Sequence, residues 1–236
     1  MRGVRQLRSL LLVALLSGCA GGVTADPAAH MGEHFMASVD LQTAVIRGDL
    51  EEARSHAEWL ATHDEPTRMA ATEEAFRGLR DAARAGASAR TLTGMAEATA
   101  RIAYQCGACH TATGSGPEML PGSPPDPGAD AQASMFGHIW GTDRMWEGLV
   151  APSEPSWSAG ARVLALSRLD ASAVVTDPAR QARLRDLEAE VTDVAEQAGR
   201  TGDGGERARL YGRLLATCAP CHQTLGLDPL GMPRSP

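Results

Sequence analysis

The chain has 236 residues, of which 43% are hydrophobic, 22% are charged and only 4% are aromatic. This length allows one or two domains, and so few aromatic residues favour helices packed through small side chains over a β-sandwich. The formal net charge is −7, and three of the arginines lie in the first 18 residues, so the remainder is more acidic still. An acidic protein has no electrostatic reason to bind nucleic acid.

Residues 1–18 are predicted to be a lipoprotein signal peptide. Three arginines precede the apolar run Leu10–Leu16, which is too short to span a bilayer as a helix. The run ends in Leu16-Ser17-Gly18-Cys19, which resembles the bacterial lipobox, where the cysteine becomes the acylated N-terminus. An ordinary secretory signal with an unrelated cysteine is the alternative. We expect lipidation at Cys19, a tether over residues 19–28 and a membrane-anchored, periplasm-facing protein of the bacterial cell envelope. Ala20 favours the outer membrane.

The next segment, residues 29–112, is predicted to form a unit of four helices. Apolar residues recur at three- and four-residue steps, and turn or helix-start residues separate the helices. The predicted helices are Met31–Arg47, Leu50–Thr62, a third from Pro66 to about Ala85, and a fourth from about Arg90 to the end of the unit. Residues 113–130 are rich in proline and glycine and are predicted to be a linker.

Two C-x-x-C-H motifs carry the chemistry: Cys106-Gly107-Ala108-Cys109-His110 and Cys218-Ala219-Pro220-Cys221-His222. This motif is the signature of covalent haem attachment. Two thiols one helical turn apart can reach the two vinyl groups of one porphyrin, and the following histidine can bind iron from the proximal side.

Three other readings of the motifs are weaker. A thioredoxin-like pair needs a βαβ context, which is missing around both motifs. A single zinc site would have to join motifs more than a hundred residues apart, each with its own histidine. Two disulfides would leave both histidines unexplained. The sequence therefore predicts two covalently bound haem c groups, with Cys106, Cys109, Cys218 and Cys221 as attachment residues and His110 and His222 as proximal iron ligands.

The chain contains an internal repeat, which appears when the sequence is shifted by 104 residues. Met31 and His34 then fall on Met135 and His138, whereas the two haem motifs are 112 residues apart. The second unit, residues 131–224, therefore has eight extra residues between these landmarks, and residues 225–236 are predicted to be a disordered tail. We expect an all-α fold of two tandem four-helix bundles, each ending in its own C-x-x-C-H motif.

Each unit resembles the class II cytochromes c, the cytochrome c prime group and its low-spin relatives. The resemblance lies in a four-helix unit that closes with C-x-x-C-H, because only 14 residues follow His222. It implies a distal residue on the first helix of each unit, commonly methionine where a ligand is present. This chain departs from the family in its shorter helices and in a histidine near that position.

The distal ligand therefore has two candidates in each unit. His34 and His138 are matched between the repeats, and Met31 and Met135 lie three residues before them, on the same helical face. Imidazole is the stronger ligand for oxidised iron, so we favour His34 and His138 over Met31 and Met135, which would otherwise pack the haem pocket. Trp140 and Trp146 either shield the second haem or pack in the core.

These features predict a membrane-tethered dihaem electron carrier that exchanges electrons with redox proteins of the cell envelope. The acidic surface suits a basic patch on such a partner. No acid–base constellation outside the haem motifs indicates an enzyme. The alternative is a gas-binding protein or a peroxidase-like enzyme, which needs an open sixth coordination position on at least one iron.

Overall fold

A computed structural model of the chain describes residues 27–63, 73–126 and 130–227. Over these residues the regular structure is entirely helical, which confirms the all-α prediction. The predicted signal peptide, Cys19 and residues 228–236 lie outside the described part. The helices are α1 (Pro27–Arg47), α2 (Leu50–Thr62), α3 (Glu73–Ala87), α4 (Leu92–Thr113), α5 (Ala131–Val150), α6 (Glu154–Leu166), α7 (Ala171–Val174), α8 (Pro178–Ala198) and α9 (Gly204–Leu225).

Short polar residues begin most of these helices, and glycines end several. The Asp49 carboxylate accepts a hydrogen bond from the Glu52 amide at 3.0 Å and so caps α2. The two motif helices, α4 and α9, end at Gly114 and Gly226, which have φ values of 62° and 81°. A left-handed conformation of this kind favours glycine and stops the helix directly after the haem motif.

The predicted helices of the first unit agree closely with the structure. α1 starts four residues earlier than predicted, and α2 has the predicted bounds. The predicted start of the third helix at Pro66 falls outside the described residues, and α3 is described from Glu73. In the second unit, the eight extra residues fall in the connection between α6 and α8, which also contains the one-turn helix α7.

The predicted linker has no regular structure between residues 115 and 126. Part of it lies against the second half of the chain. The Met119 carbonyl accepts a hydrogen bond from the Ser153 hydroxyl at 2.7 Å, and the Pro121 carbonyl accepts one from Arg144 at 3.2 Å. These bonds hold the segment against the end of α5 and the start of α6.

The two halves of the chain meet along their motif helices. α4 packs against α9, α1 also packs on α9, and α5 also packs on α4. Gly212 of α9 allows the close approach, because a Cβ atom there would lie 3.1 Å from the Cα atom of Glu97 on α4. One continuous cluster of buried side chains contains residues of both halves, including Leu41, Met95, Trp157 and Leu214.

Polar side chains inside this cluster are hydrogen-bonded across helices. The buried Gln42 amide donates to the Tyr211 hydroxyl at 2.6 Å, and that hydroxyl donates to the Thr142 carbonyl at 3.2 Å. Tyr211 therefore connects α9 to α1 and α5. Trp146 is buried with its ring 5.9 Å from that of Tyr211, so it packs in the core. Among the described helices, none is long and apolar enough to cross a membrane.

Candidate functional site: two cavities beside the cysteine motifs

Each C-x-x-C-H motif lies beside a cavity. The first cavity, of about 460 Å³, lies between α1, α3 and α4, and residues 115–119 form part of its wall. The second, of about 250 Å³, lies between α5, α8 and α9. The first cavity is lined by Met31, His34, Cys106, Cys109 and His110, and the second by Met135, His138, Cys218, Cys221 and His222. The structure thus brings together, in two groups, every haem-site candidate that it describes.

The two cavities are built from equivalent positions of the repeat. Positions on the first helix of each half differ by 104 residues, and those on the third and fourth helices differ by 112. Beyond the candidates named above, the matched lining pairs are Phe35 and Ile139, Ser38 and Thr142, Ala75 and Leu187, Phe76 and Glu188, Leu79 and Val191, and Gln105 and Thr217. Leu187 is larger than Ala75, which contributes to the smaller volume of the second cavity.

The histidine of each motif is held by a backbone carbonyl of the opposite half. His110 Nδ1 lies 2.7 Å from the carbonyl oxygen of Val150, at the end of α5. The His222 ring is hydrogen-bonded to the carbonyl of Ile46, near the end of α1. Ile46 and Val150 are themselves equivalent under the 104-residue shift. The two contacts are therefore reciprocal, as in an assembly with approximate two-fold symmetry.

This hydrogen bond determines which nitrogen of His110 is available as a ligand. A carbonyl can only accept a hydrogen bond, so Nδ1 carries the proton and donates it to Val150. The lone pair of Nε2 is then available for a metal ion. A second-shell carbonyl of this kind fixes both the tautomer and the ring orientation of a ligating histidine. Burial lowers the pKa of His222, which also favours the neutral, ligating form.

The motif cysteines have the properties of buried thiols. None of the four described cysteines forms a disulfide. Burial, together with the neighbouring Cys109, raises the pKa of Cys106 to about 12, and burial with Cys221 does the same for Cys218. Burial also raises the pKa of Cys221 to about 11. A redox-active dithiol needs a lowered thiol pKa, so these values argue against thioredoxin-like chemistry.

The two distal histidine candidates have different surroundings. His34 is buried beside His30 and His63, and burial followed by these two neighbours lowers the pKa of His34 to about 4. His138 Nε2 lies 2.7 Å from the carbonyl oxygen of Ser167 and 3.6 Å from the Glu188 carboxylate.

Burial alone would lower the pKa of His138, but the bonds to Glu188 and Ser167 raise it overall. His138 is thus held as a hydrogen-bond donor. Its equivalent in the first cavity lies among other histidines.

Several residues at these sites were missed by the sequence reasoning. His30 and His63 have no histidine counterpart in the second half, so the repeat gave no reason to select them. Ile46 and Val150 act through their backbone carbonyls, which leave no mark in the sequence. Glu188 could have been found, because it falls on the α8 face that points into the second cavity.

Comparison with protein-family models, with curated proteins and with solved structures found no match to this chain. The functional interpretation therefore depends on the two cavities and on the motifs beside them.

Proposed function

We propose that the protein is a dihaem c-type cytochrome that carries electrons at a membrane of the bacterial cell envelope. The observation that carries this proposal is that each C-x-x-C-H motif lies at a cavity while a carbonyl orients its histidine. The proposal includes two tandem four-helix units of the class II type. It also includes a lipid anchor at Cys19, which favours the outer membrane.

The residues at both cavities fit a covalently bound haem. The two thiols of each motif are three residues apart on one helix, and both thiols of each motif line the cavity. His110 offers Nε2 because Nδ1 is donated to Val150. The first cavity is within the usual volume range for ligand pockets, roughly 300–1,000 Å³. The second is smaller, so we expect its walls at Leu187 and Glu188 to move outward around a bound haem.

When bound, haem iron supplies one-electron oxidation and reduction. In the proposed function the cysteines hold the porphyrin by thioether bonds, and His110 and His222 bind iron on the proximal side. Apolar side chains such as Phe35, Leu79 and Val191 exclude water from the cavities. The α4–α9 contact keeps both motif helices within one rigid core, which limits reorganisation during electron transfer.

The distal ligand remains a prediction, with His34 and His138 as first candidates and Met31 and Met135 as alternatives. In the second cavity one contact separates them. An iron bond to His138 Nε2 would replace its hydrogen bond to the Ser167 carbonyl. The Met135 thioether makes no hydrogen bond of that strength and would lose none. This contrast favours Met135 over His138 in the second cavity.

The experiment that tests the cofactor is expression, with the native signal, in a bacterium that attaches c-type haem. We expect two covalent haems per chain by pyridine haemochrome and intact mass. Replacing both cysteines of one motif (Cys106→Ala with Cys109→Ala) should leave one haem. Cys19→Ala serves as the control, because it should retain two haems and lose only membrane attachment. A wild-type chain without covalent haem would refute the proposal.

Spectroscopy of the same preparation tests the function. Low-spin ferric signals from both haems, with no change when CO is added to the reduced protein, are expected of an electron carrier. A high-spin haem that binds CO would instead support the gas-binding or peroxidase-like alternative. His34→Ala, His138→Ala, Met31→Leu and Met135→Leu identify the distal ligands, because loss of a ligand should convert one haem to high spin.

A further inference from the structure

Three histidines converge at one end of the first half. His30 and His34 are one turn apart on α1, and His63 directly follows α2. One ring nitrogen from each lies within 4.8 Å of the corresponding nitrogens of the other two. His30 and His34 are 8% and 7% exposed, so the group is shielded from bulk solvent.

We propose that His30, His34 and His63 bind a divalent transition-metal ion of the zinc or copper class. Imidazole nitrogen is a preferred ligand of both ions, and three histidines with one open position form a known type of zinc site. In a closed tetrahedral site the nitrogens are about 3.4 Å apart, from a bond length of roughly 2.0–2.1 Å. Side-chain movements of about 1 Å are therefore enough to close the group around an ion.

Neighbouring side chains already restrict the third histidine. The ring of Trp59 stacks on that of His63 with centroids 4.0 Å apart, and the His63 ring stacks in turn on His30 at 5.1 Å. The Glu33 carboxylate lies 3.5 Å from His63 Nε2. A carboxylate in this position can accept the second ring N–H of a ligating histidine and so strengthen it as a ligand.

The internal repeat shows that this group is specific to the first half. Under the 104-residue shift, His30 falls on Ser134, His34 on His138 and His63 on Ser167. In the second half the Ser167 carbonyl contacts the single histidine, at 2.7 Å. The same fold thus accommodates serine at both positions, so the two extra histidines are not required for helix packing.

The metal site and the haem proposal share only His34, which also lines the first cavity. A metal ion on the histidine group would make His34 unavailable to iron through the same nitrogen, and Met31 would then be the distal candidate in that cavity. The inference rests on the three-histidine geometry and does not require haem.

The test is equilibrium dialysis and calorimetric titration of the full-length protein, as purified with its haems, against Zn²⁺. We expect one ion per chain at micromolar concentration. The variant His30→Ser with His63→Ser carries the residues of the second half, and we expect its affinity to fall by about 100-fold or more. His56→Ala removes another α2 histidine, which faces Glu52 instead of the group, and should bind as the wild type does.

Far-UV circular dichroism and haem content show whether the double variant retains its fold. If wild type binds no Zn²⁺, or if the folded double variant binds it with unchanged affinity, the inference is wrong. A chain with two haems and no zinc site overturns this inference alone. A chain that binds zinc without covalent haem overturns only the proposed function. Titration with Cu²⁺ then establishes which of the two ions binds more tightly.

Discussion

Gly107→Ala is expected to disturb the first cavity while leaving the second intact. Gly107 is the residue after Cys106 in the first motif, and α4 meets the end of α5 there. A Cβ atom at this position would lie well inside the van der Waals distance of the Leu149 carbonyl oxygen and 3.0 Å from Cγ of Pro152. Both obstacles belong to a turn whose backbone cannot yield as a flexible side chain would.

The cost has two parts. Relieving the overlap requires α4 and α5 to separate by roughly 1 Å, and overpacking of this kind costs about 1–3 kcal/mol. The same movement lengthens the hydrogen bond between His110 and the Val150 carbonyl, which contributes about 1 kcal/mol. Together we expect a loss of about 2–4 kcal/mol in the free energy of unfolding. For a chain of this size that corresponds to a fall in Tm of about 4–16 °C.

Urea denaturation followed by far-UV circular dichroism measures this loss, and the low-spin spectrum of the first haem should broaden or become partly high spin. Ala219 occupies the equivalent position in the second motif, where it is buried, so alanine is compatible with the motif itself. Ala219→Gly is the matched control and should cost less. If Gly107→Ala changes stability by under about 0.5 kcal/mol and leaves the spectrum unaltered, the close α4–α5 contact is wrong.

Three further variants test the core and one ion pair. Trp157→Phe removes the indole N–H that donates to a buried carbonyl at 2.8 Å and should cost about 2–4 kcal/mol by urea denaturation. Tyr211→Phe leaves the buried amide of Gln42 without its acceptor and should cost about 1–3 kcal/mol in the same assay. The hydrogen bond from the buried Arg207 lowers the pKa of Glu154, so this pair stabilises the fold above about pH 4.5 and the stabilisation is lost as the pH falls through the lowered value. Glu154→Gln should therefore be less stable than wild type at neutral pH and equally stable in acid.

Surface residues of the same type provide the controls. Trp140→Phe and Tyr104→Phe alter half-buried or exposed rings and should change stability by under about 0.5 kcal/mol. Glu206→Gln breaks an exposed pair with Arg209 and should show little pH-dependent difference from wild type. A core variant that costs no more than its control contradicts the packing described for that residue. A Glu154→Gln difference that persists in acid contradicts the ion pair.

The helices were the part of the fold most open to prediction. Apolar spacing and the glycine after Arg47 fixed the ends of α1 and α2 to within a few residues, because local capping and periodicity determine them. The repeat identified Met31, His34 and their counterparts before any coordinates, because two copies of one pattern remove chance matches. The structure places all four at the predicted cavities.

The contacts between the halves were beyond sequence reasoning. The carbonyls of Ile46 and Val150 belong to residues whose side chains are ordinary apolar ones, so nothing in the sequence distinguishes them. The meeting of His63 with α1 depends on how α2 crosses it, which is a property of tertiary packing. Periodicity assigns a face to each helix, but it does not say which other helix covers that face.

The reciprocal carbonyl contacts have a consequence for the history of the chain. A single ancestral unit, before duplication, would have had no carbonyl of its own to hold its motif histidine. Two copies related by a two-fold axis would have supplied it to each other, because an isologous interface repeats every contact twice. Fusion of those copies through residues 113–130 then made a permanent pair of what had been a concentration-dependent one. One copy could afterwards acquire His30 and His63 while the other kept serine.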